Sequence, residues 1–158
     1  MKDSYSLTPV SYVIFRRGDS VLLQLRRDTG YMDGHWATAA AGHVEAGESA
    51  GQAALRETRE ELGVVIAAED LVALTAMHRA QAGGSSLVGR VDFFFTCTAW
   101  AGTPRILESD KAAGLRWFQL HDLPAKLVPH ERYVLERLKT GLPPVVSFGF
   151  PIDGDVDG

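Results

Sequence analysis

The sequence has few of the features that mark proteins of oxidising compartments or membranes. It contains a single cysteine, Cys97, so no internal disulfide can form, which fits a reducing compartment. No apolar run approaches the roughly 20 residues that a membrane-spanning helix needs. The N-terminal segment Met-Lys-Asp-Ser-Tyr-Ser carries no apolar signal core. We therefore expect a protein of the cytoplasm with no membrane association.

An excess of positive charge is also absent. Lys and Arg number 16 against 20 Asp and Glu, which gives a formal net charge of −4. Proteins that bind duplex nucleic acid usually carry clustered basic residues, so stable nucleic-acid binding is disfavoured. The 158 residues suit one compact domain with a sizeable core. We predict a single domain over residues 1–145, followed by a C-terminal tail over residues 146–158.

The hydrophobic pattern predicts an α+β fold in which strands outnumber helices. A Gly-Asp turn separates the first two strands, which is typical of a hairpin. A long apolar segment over residues 87–100 predicts a central strand, and a polar connection over 102–114 follows it. Strands are predicted at residues 10–15, 20–26, 71–79, 87–100 and 115–120, a strand or loop at 37–41, and helices at 50–62 and 131–139.

The sequence predicts where the first helix begins and ends. Ser49 followed by Gln52 fits a capping box, in which the two side chains satisfy the free N–H groups of the first turn. Gly63 fits the position just past the helix end, where a left-handed conformation is favoured. The helix is therefore predicted to span Ala50–Leu62.

Glu57, Glu60 and Glu61 lie at neighbouring positions on this helix. Like charges at this spacing destabilise a helix by a few tenths of a kcal/mol per pair. A hard cation such as Mg²⁺ would offset the repulsion, because it takes carboxylate oxygens together with substrate phosphates. The alternative to a bound cation is that the glutamates have no functional role and lie on a solvated helix face, on which Arg56 pairs with Glu60. Glu48 weakens that alternative, because the acidic groups then outnumber their local partners.

The spacing of these residues resembles the signature of the Nudix hydrolases. Thr58 occupies a position where the signature has an apolar residue, and Ala40-Ala41-Gly42 replaces the usual Pro-Gly-Gly. The resemblance implies an α/β/α sandwich with a mixed central sheet, and a pyrophosphohydrolase acting on phosphoanhydride bonds. The fixed positions of the signature are matched by Gly42, Glu48, Arg56, Glu57, Glu60, Glu61 and Gly63.

The resemblance also implies a divalent cation, Mg²⁺ or alternatively Mn²⁺. Its ligands would be Glu57, Glu60, Glu61 and the backbone carbonyl of Ala41. Metal ions neutralise charge on phosphoryl oxygens and lower the pKa of a bound water.

Other residues of this stretch would support the metal ligands. Arg56 would orient Glu48. The general base is left open between Glu61 and Glu57, with Glu108 on the polar connection as a third candidate.

The substrate is less well defined by the sequence. Arg27, Arg90 and Glu108 are candidate substrate-binding residues. Marks of the ADP-ribose and diadenosine-polyphosphate branches are missing, so the chain looks most like the MutT-type nucleoside triphosphate pyrophosphohydrolases. A hydrolase of another nucleotide, such as a nucleotide sugar, and a non-catalytic nucleotide-binding regulatory module are the alternatives. A homodimer is left open.

Overall fold

The computed structural model describes residues 4–80 and 87–151 of the chain. Within these ranges the strands outnumber the helices, as the sequence predicted. No helix in the described part is long and apolar enough to cross a bilayer. The strands are β1 (Ser6–Arg17), β2 (Ser20–Arg26), β3 (Trp36–Thr38), β4 (Ala40–His43), β5 (Val72–Ala80), β6 (Val88–Cys97), β7 (Ala112–Gln119) and β8 (Val145–Phe148), and the helices are α1 (Ala50–Leu62) and α2 (Pro129–Leu135).

The sheet is organised around β1. This strand pairs antiparallel with β4 on one side and parallel with β6 on the other. β5 lies antiparallel to β6 and pairs in parallel with β8, so the order is β4-β1-β6-β5-β8. The C-terminal end of β1 forms a hairpin with β2. On its own two sides, β2 pairs antiparallel with β3 and with β7. The predicted mixed central sheet is therefore confirmed, and so is the central position of β6.

Side chains alternate along β1 between two apolar faces, because successive residues of a strand point to opposite sides of the sheet. Val10, Tyr12 and Ile14 join a core cluster that contains residues of α2. Val13 and Phe15 join a second cluster that contains residues of α1. One helix therefore covers each face, and the α/β/α sandwich is confirmed.

The second helix begins and ends earlier than predicted. It spans Pro129–Leu135 rather than residues 131–139. Proline suits the first helical turn, because its missing N–H would have no helical partner there. The residues after Leu135 continue as turns, so the amphipathic pattern that suggested a longer helix extends beyond the helical segment.

The domain boundary predicted at residue 145 coincides with the start of β8. Val145–Phe148 pairs with residues 76–79 of β5, and Val146 is buried in the core. The sheet therefore includes residues 146–148, which the sequence had placed in the tail. Residues 152–158 of that tail lie outside the described residues, and so do residues 81–86, which belong to the loop expected between the strands predicted at 71–79 and 87–100.

Candidate active site

The first helix is held at both ends as its sequence predicted. Ser49 accepts a hydrogen bond from the N–H of Gln52, and the Gln52 side chain accepts one from the N–H of Ser49, which completes the capping box. Gly63 adopts a left-handed conformation at the C-terminal end. Ser11 on β1 also donates a hydrogen bond to the carbonyl of Ala50 at 2.8 Å. These contacts fix where the acidic face of α1 lies over the sheet.

Arg56 makes most of the side-chain hydrogen bonds on the acidic face of this helix. Its guanidinium holds Glu48 through both oxygens, with Nε–Oε2 at 3.1 Å and Nη2–Oε1 at 2.7 Å. The same group donates to Glu57 Oε1 at 2.8 Å and to the carbonyl of His43 at 3.0 Å. Two-pronged pairs of this kind fix both partners in one geometry. The hydrogen bonds from Arg56, together with one from the N–H of Glu45, lower the pKa of Glu48.

Gly42 lies directly under the Glu57 carboxylate. A Cβ added at Gly42 would lie 2.7 Å from Glu57 Oε2 and closer still to the other two carboxylate atoms. Real Cβ atoms essentially never come this close, so a side chain at position 42 would force the Glu57 carboxylate out of its place. Its backbone does not adopt the left-handed region that often explains a glycine.

Glu61 faces Glu57 beside β4. The N–H of Ala41 donates to Glu61 Oε2 at 3.2 Å, and the Glu57 carboxyl group lies close enough to Glu61 to affect its pKa. Burial raises the pKa of Glu61 well above its ordinary value, and Glu57 and Glu108 raise it further. Two carboxyl groups this close cannot both be ionised without a nearby positive charge.

The predicted metal ligands are only partly gathered. Glu57 and Glu61 are adjacent, whereas the Glu60 side chain is 54% exposed and pairs with Arg56 at 3.2 Å. Among the described residues, no group of three or more His, Cys, Asp or Glu side chains is arranged to hold a metal ion. The donor chemistry nevertheless suits Mg²⁺, because the adjacent Glu57 and Glu61 offer carboxylate oxygens at the wall of an open cavity.

A cavity of about 1070 Å³ opens beside α1, which is ample for a small-molecule ligand. Arg56, Glu57, Glu60 and Glu61 form one end of its wall, and Ala41 and Gly42 form the adjoining part. Glu48 is not part of the wall and contacts it through Arg56 and the N–H of Glu45.

The three substrate-binding candidates differ in position. Glu108 and Arg90 line the cavity. Arg27 does not; its side chain donates to the carbonyl of Ser109, and its N–H donates to the carbonyl of Lys111 at 2.9 Å. Arg27 therefore holds the connection between β6 and β7 rather than facing the cavity.

That connection is anchored beside the end of α1. The N–H of Leu107 donates to the carbonyl of Glu61 at 3.0 Å, and the N–H of Arg105 donates to the carbonyl of Leu62 at 3.2 Å. These bonds satisfy carbonyl groups that a helix end leaves free. They also bring Glu108 to the cavity wall near Glu61.

The sequence interpretation missed a set of buried polar residues at the floor of the cavity. Glu131 is 3% exposed and accepts a hydrogen bond from the N–H of Thr38 at 2.7 Å. The Thr38 hydroxyl has no hydrogen-bond partner in the described structure. Tyr12 Oη and His130 Nε2 lie 3.0 Å apart. The available signal was a histidine and a glutamate on the apolar side of α2, which a surface helix rarely buries without a reason.

Comparison with known proteins identifies the family. The family model named NUDIX domain matches residues 7–138. The chain therefore belongs to the Nudix family, which confirms the resemblance carried by the residues of α1. The enzyme class that this defines is a Nudix hydrolase acting on pyrophosphate bonds.

Individual relatives differ in what their names say they do. An isopentenyl-diphosphate Δ-isomerase of Cereibacter sphaeroides is 32% identical over 126 residues, which cover 77% of this chain and 69% of that protein. An NAD-capped RNA hydrolase of Pseudomonas putida is 30% identical over 121 residues, but the match spans 75% of this chain and only 38% of that protein. A MutT Nudix hydrolase structure from Burkholderia pseudomallei is 27% identical, with a TM-score of 0.75, and covers 83% of this chain and 97% of that one.

Proposed function

We propose that this protein is a Mg²⁺-dependent hydrolase that cleaves the pyrophosphate linkage of a nucleoside diphosphate derivative. A nucleoside triphosphate is the preferred substrate, and a nucleotide sugar is the alternative. The observation that carries the proposal is the pair of carboxyl groups of Glu57 and Glu61 beside Gly42, at the wall of a large cavity.

Each residue of the pair has a role that follows from its position. Glu57, Glu61 and the Ala41 carbonyl would hold the cation, with Glu60 reaching it by a side-chain rotation away from Arg56. The cation supplies neutralisation of phosphoryl charge and activation of water. Glu61 or Glu57 accepts the proton of the attacking water, and Glu108 is positioned to share that role. Arg56 keeps Glu57 in place and is itself held by Glu48.

The nucleoside would occupy the floor of the same cavity. The Thr38 hydroxyl and the Glu131 carboxyl group lie there side by side, both buried. A ligand that pairs with buried polar groups is favoured over one that leaves them unpaired. The floor therefore suits the polar edge of a base, which supports a nucleotide substrate.

The single cysteine suggests where the protein acts. Cys97 is buried, and burial raises the pKa of its thiol to about 12, so it is an unreactive core residue. A chain without disulfides suits a reducing compartment, and we assign the protein to the cytoplasm on that basis.

The proposal is tested with a panel of nucleoside triphosphates, nucleotide sugars and isopentenyl diphosphate. We expect release of pyrophosphate or phosphate from a nucleotide with Mg²⁺ or Mn²⁺ and none with EDTA. Isomerisation of isopentenyl diphosphate without nucleotide hydrolysis would reject the proposal in favour of an activity like that named for the Cereibacter sphaeroides relative. Nucleotide binding with no turnover under any divalent metal would favour the regulatory module.

Variants connect the activity to the site. Glu57→Gln and Glu61→Gln should each lower the rate by about a hundredfold or more, the usual contribution of a positioned base or ligand. Glu69→Gln is the matched control, because Glu69 is exposed on the one-turn helix Ala68–Asp70, outside the cavity. Full activity in either test variant would remove that residue from the mechanism.

A further inference from the structure

The end of the cavity away from α1 is built from a row of residues on three neighbouring strands. Phe148 on β8 lies in register with Arg79 on β5, and Arg79 lies in register with Arg90 on β6. All three line the cavity that also contains the glutamates of α1. The sheet therefore places two guanidinium groups side by side at the wall of the candidate active site.

Only one of these arginines has its charge balanced. Arg79 forms a two-pronged pair with Asp92, with Nε–Oδ2 at 2.6 Å and Nη2–Oδ1 at 3.2 Å, and the Asp92 side chain is fully buried. Among the ion pairs and hydrogen bonds of the described residues, none involves the side chain of Arg90. Like charges directly opposite each other on a sheet are destabilising. An unbalanced, half-buried guanidinium beside an arginine at a cavity wall indicates an anionic ligand.

The neighbouring groups do not remove this excess of positive charge. Tyr12 and His130 lie on the same face, and burial raises the pKa of Tyr12 and lowers that of His130 to about 3, so both are neutral at physiological pH. Arg26, a further cation near His130, donates to Tyr31 and Thr29. Glu131 is the other buried acid at this end of the cavity, where it accepts a hydrogen bond from the neutral N–H of Thr38. Its charge is offset by Arg26, so Arg26, Arg79 and Arg90 still outnumber Asp92 and Glu131.

The two arginines lie at a distance from the reacting centre. Gly42 is opposite Ser11 on β1, whereas Arg90 is opposite Thr8, two strands away from β4. Strand spacing and rise per residue put the Cα atoms of Gly42 and Arg90 about 14 Å apart. This separation leaves room for an anion at Arg90 that is a different group from the phosphates that Glu57 and Glu61 would handle.

We propose that Arg79 and Arg90 form an anion subsite for a phosphate monoester remote from the cleaved linkage. The preferred substrate is then a nucleotide derivative that carries a further phosphate on its nucleoside part. This inference takes from the proposed function only that a pyrophosphate linkage is cleaved; the subsite itself is inferred from the two arginines. Arg90 is the residue that contacts the phosphate, and Arg79 is held beside it by Asp92.

The test compares two pyrophosphate-linked dinucleotides, NAD and NADP, which differ by one phosphate monoester. We expect the full-length protein with Mg²⁺ to prefer NADP by about ten- to a hundredfold in kcat/KM, the range of a charge-assisted contact. Arg90→Gln should reduce that ratio to near one, and Arg90→Lys should retain part of it. Arg105→Gln is the control for lost charge, because Arg105 is exposed outside the cavity.

A binding measurement separates this inference from the proposed function. Calorimetry with EDTA should show tighter binding of NADP than of NAD, and Arg90→Gln should abolish the difference while thermal unfolding confirms the fold. Tighter binding of NADP that depends on Arg90, with no hydrolysis of NAD or NADP, would support the subsite and would show that neither dinucleotide is a substrate. Equal binding of NAD and NADP by the unmodified protein, or an equal loss for both in Arg90→Gln, would overturn the subsite.

Discussion

Replacement of Gly42 by alanine is the sharpest perturbation that the structure offers. The new methyl group would occupy the space of the Glu57 carboxylate, 2.7 Å from Oε2 and nearer to the rest of the group. The Glu57 carboxylate would have to move, because it is the end of a flexible side chain, whereas the new methyl group would be attached to the backbone of β4. Its 2.8 Å hydrogen bond from Arg56 and its position beside Glu61 would be lost together.

The size of the effect can be worked out from this displacement. Overpacking of a closed core costs about 1–3 kcal/mol in the free energy of unfolding, and the cost should be smaller here because the Glu57 side chain can move into the cavity. A misplacement of about 1 Å in a catalytic group costs about a hundredfold in rate. We therefore expect Gly42→Ala to lose roughly that much activity while the protein stays folded.

The assay is pyrophosphate or phosphate release with Mg²⁺, paired with urea unfolding of the same variant. Gly51→Ala is the matched control, since Gly51 lies on α1 and its added Cβ would meet only Ser49 Oγ at 3.9 Å. That control should gain up to about 1 kcal/mol, because alanine favours a helix interior over glycine. Wild-type activity in Gly42→Ala would refute the reasoning that this glycine makes room for Glu57.

Three further predictions concern stability. Ser49→Ala should lower the free energy of unfolding by about 1 kcal/mol in urea, because it removes the capping hydroxyl of α1; an unchanged midpoint would contradict the role of the cap. Thr58→Val should change it by less than about 1 kcal/mol, since the buried hydroxyl donates only to the Leu55 carbonyl of its own helix; a loss well beyond that would show a further partner. Burial raises the pKa of Glu131 to about 6, so its protonated form stabilises the fold below the unfolded pKa and this contribution disappears as pH rises through 6. Relative to Glu131→Gln, the unmodified protein should therefore be about 2 kcal/mol more stable at pH 4 than at pH 7.5 by thermal unfolding, and a constant difference would contradict this.

Local signals account for the parts of the molecule that the sequence predicted well. The capping box of Ser49 and Gln52 and the left-handed Gly63 depend on hydrogen bonds within α1, so residue types at fixed spacing define both ends of the helix. The same holds for the strand predicted at residues 10–15, which lies within β1. Non-local packing explains why the predicted domain boundary at residue 145 was placed too early. β8 is short and stays in place because Val146 enters the core beside β5, which no local pattern reveals.

The sequence by itself indicated the family and the acidic face of α1, because these depend on residue types at fixed spacing, and the mixed sheet was expected only from the family resemblance. Only the tertiary structure decided which side chains meet. It placed the Glu57 carboxylate over Gly42 and turned Arg27 toward Ser109, away from the cavity. It also brought Arg79 and Arg90 into register on neighbouring strands. Contacts of this kind join residues far apart in the chain, and strand pairing and packing set them rather than local spacing.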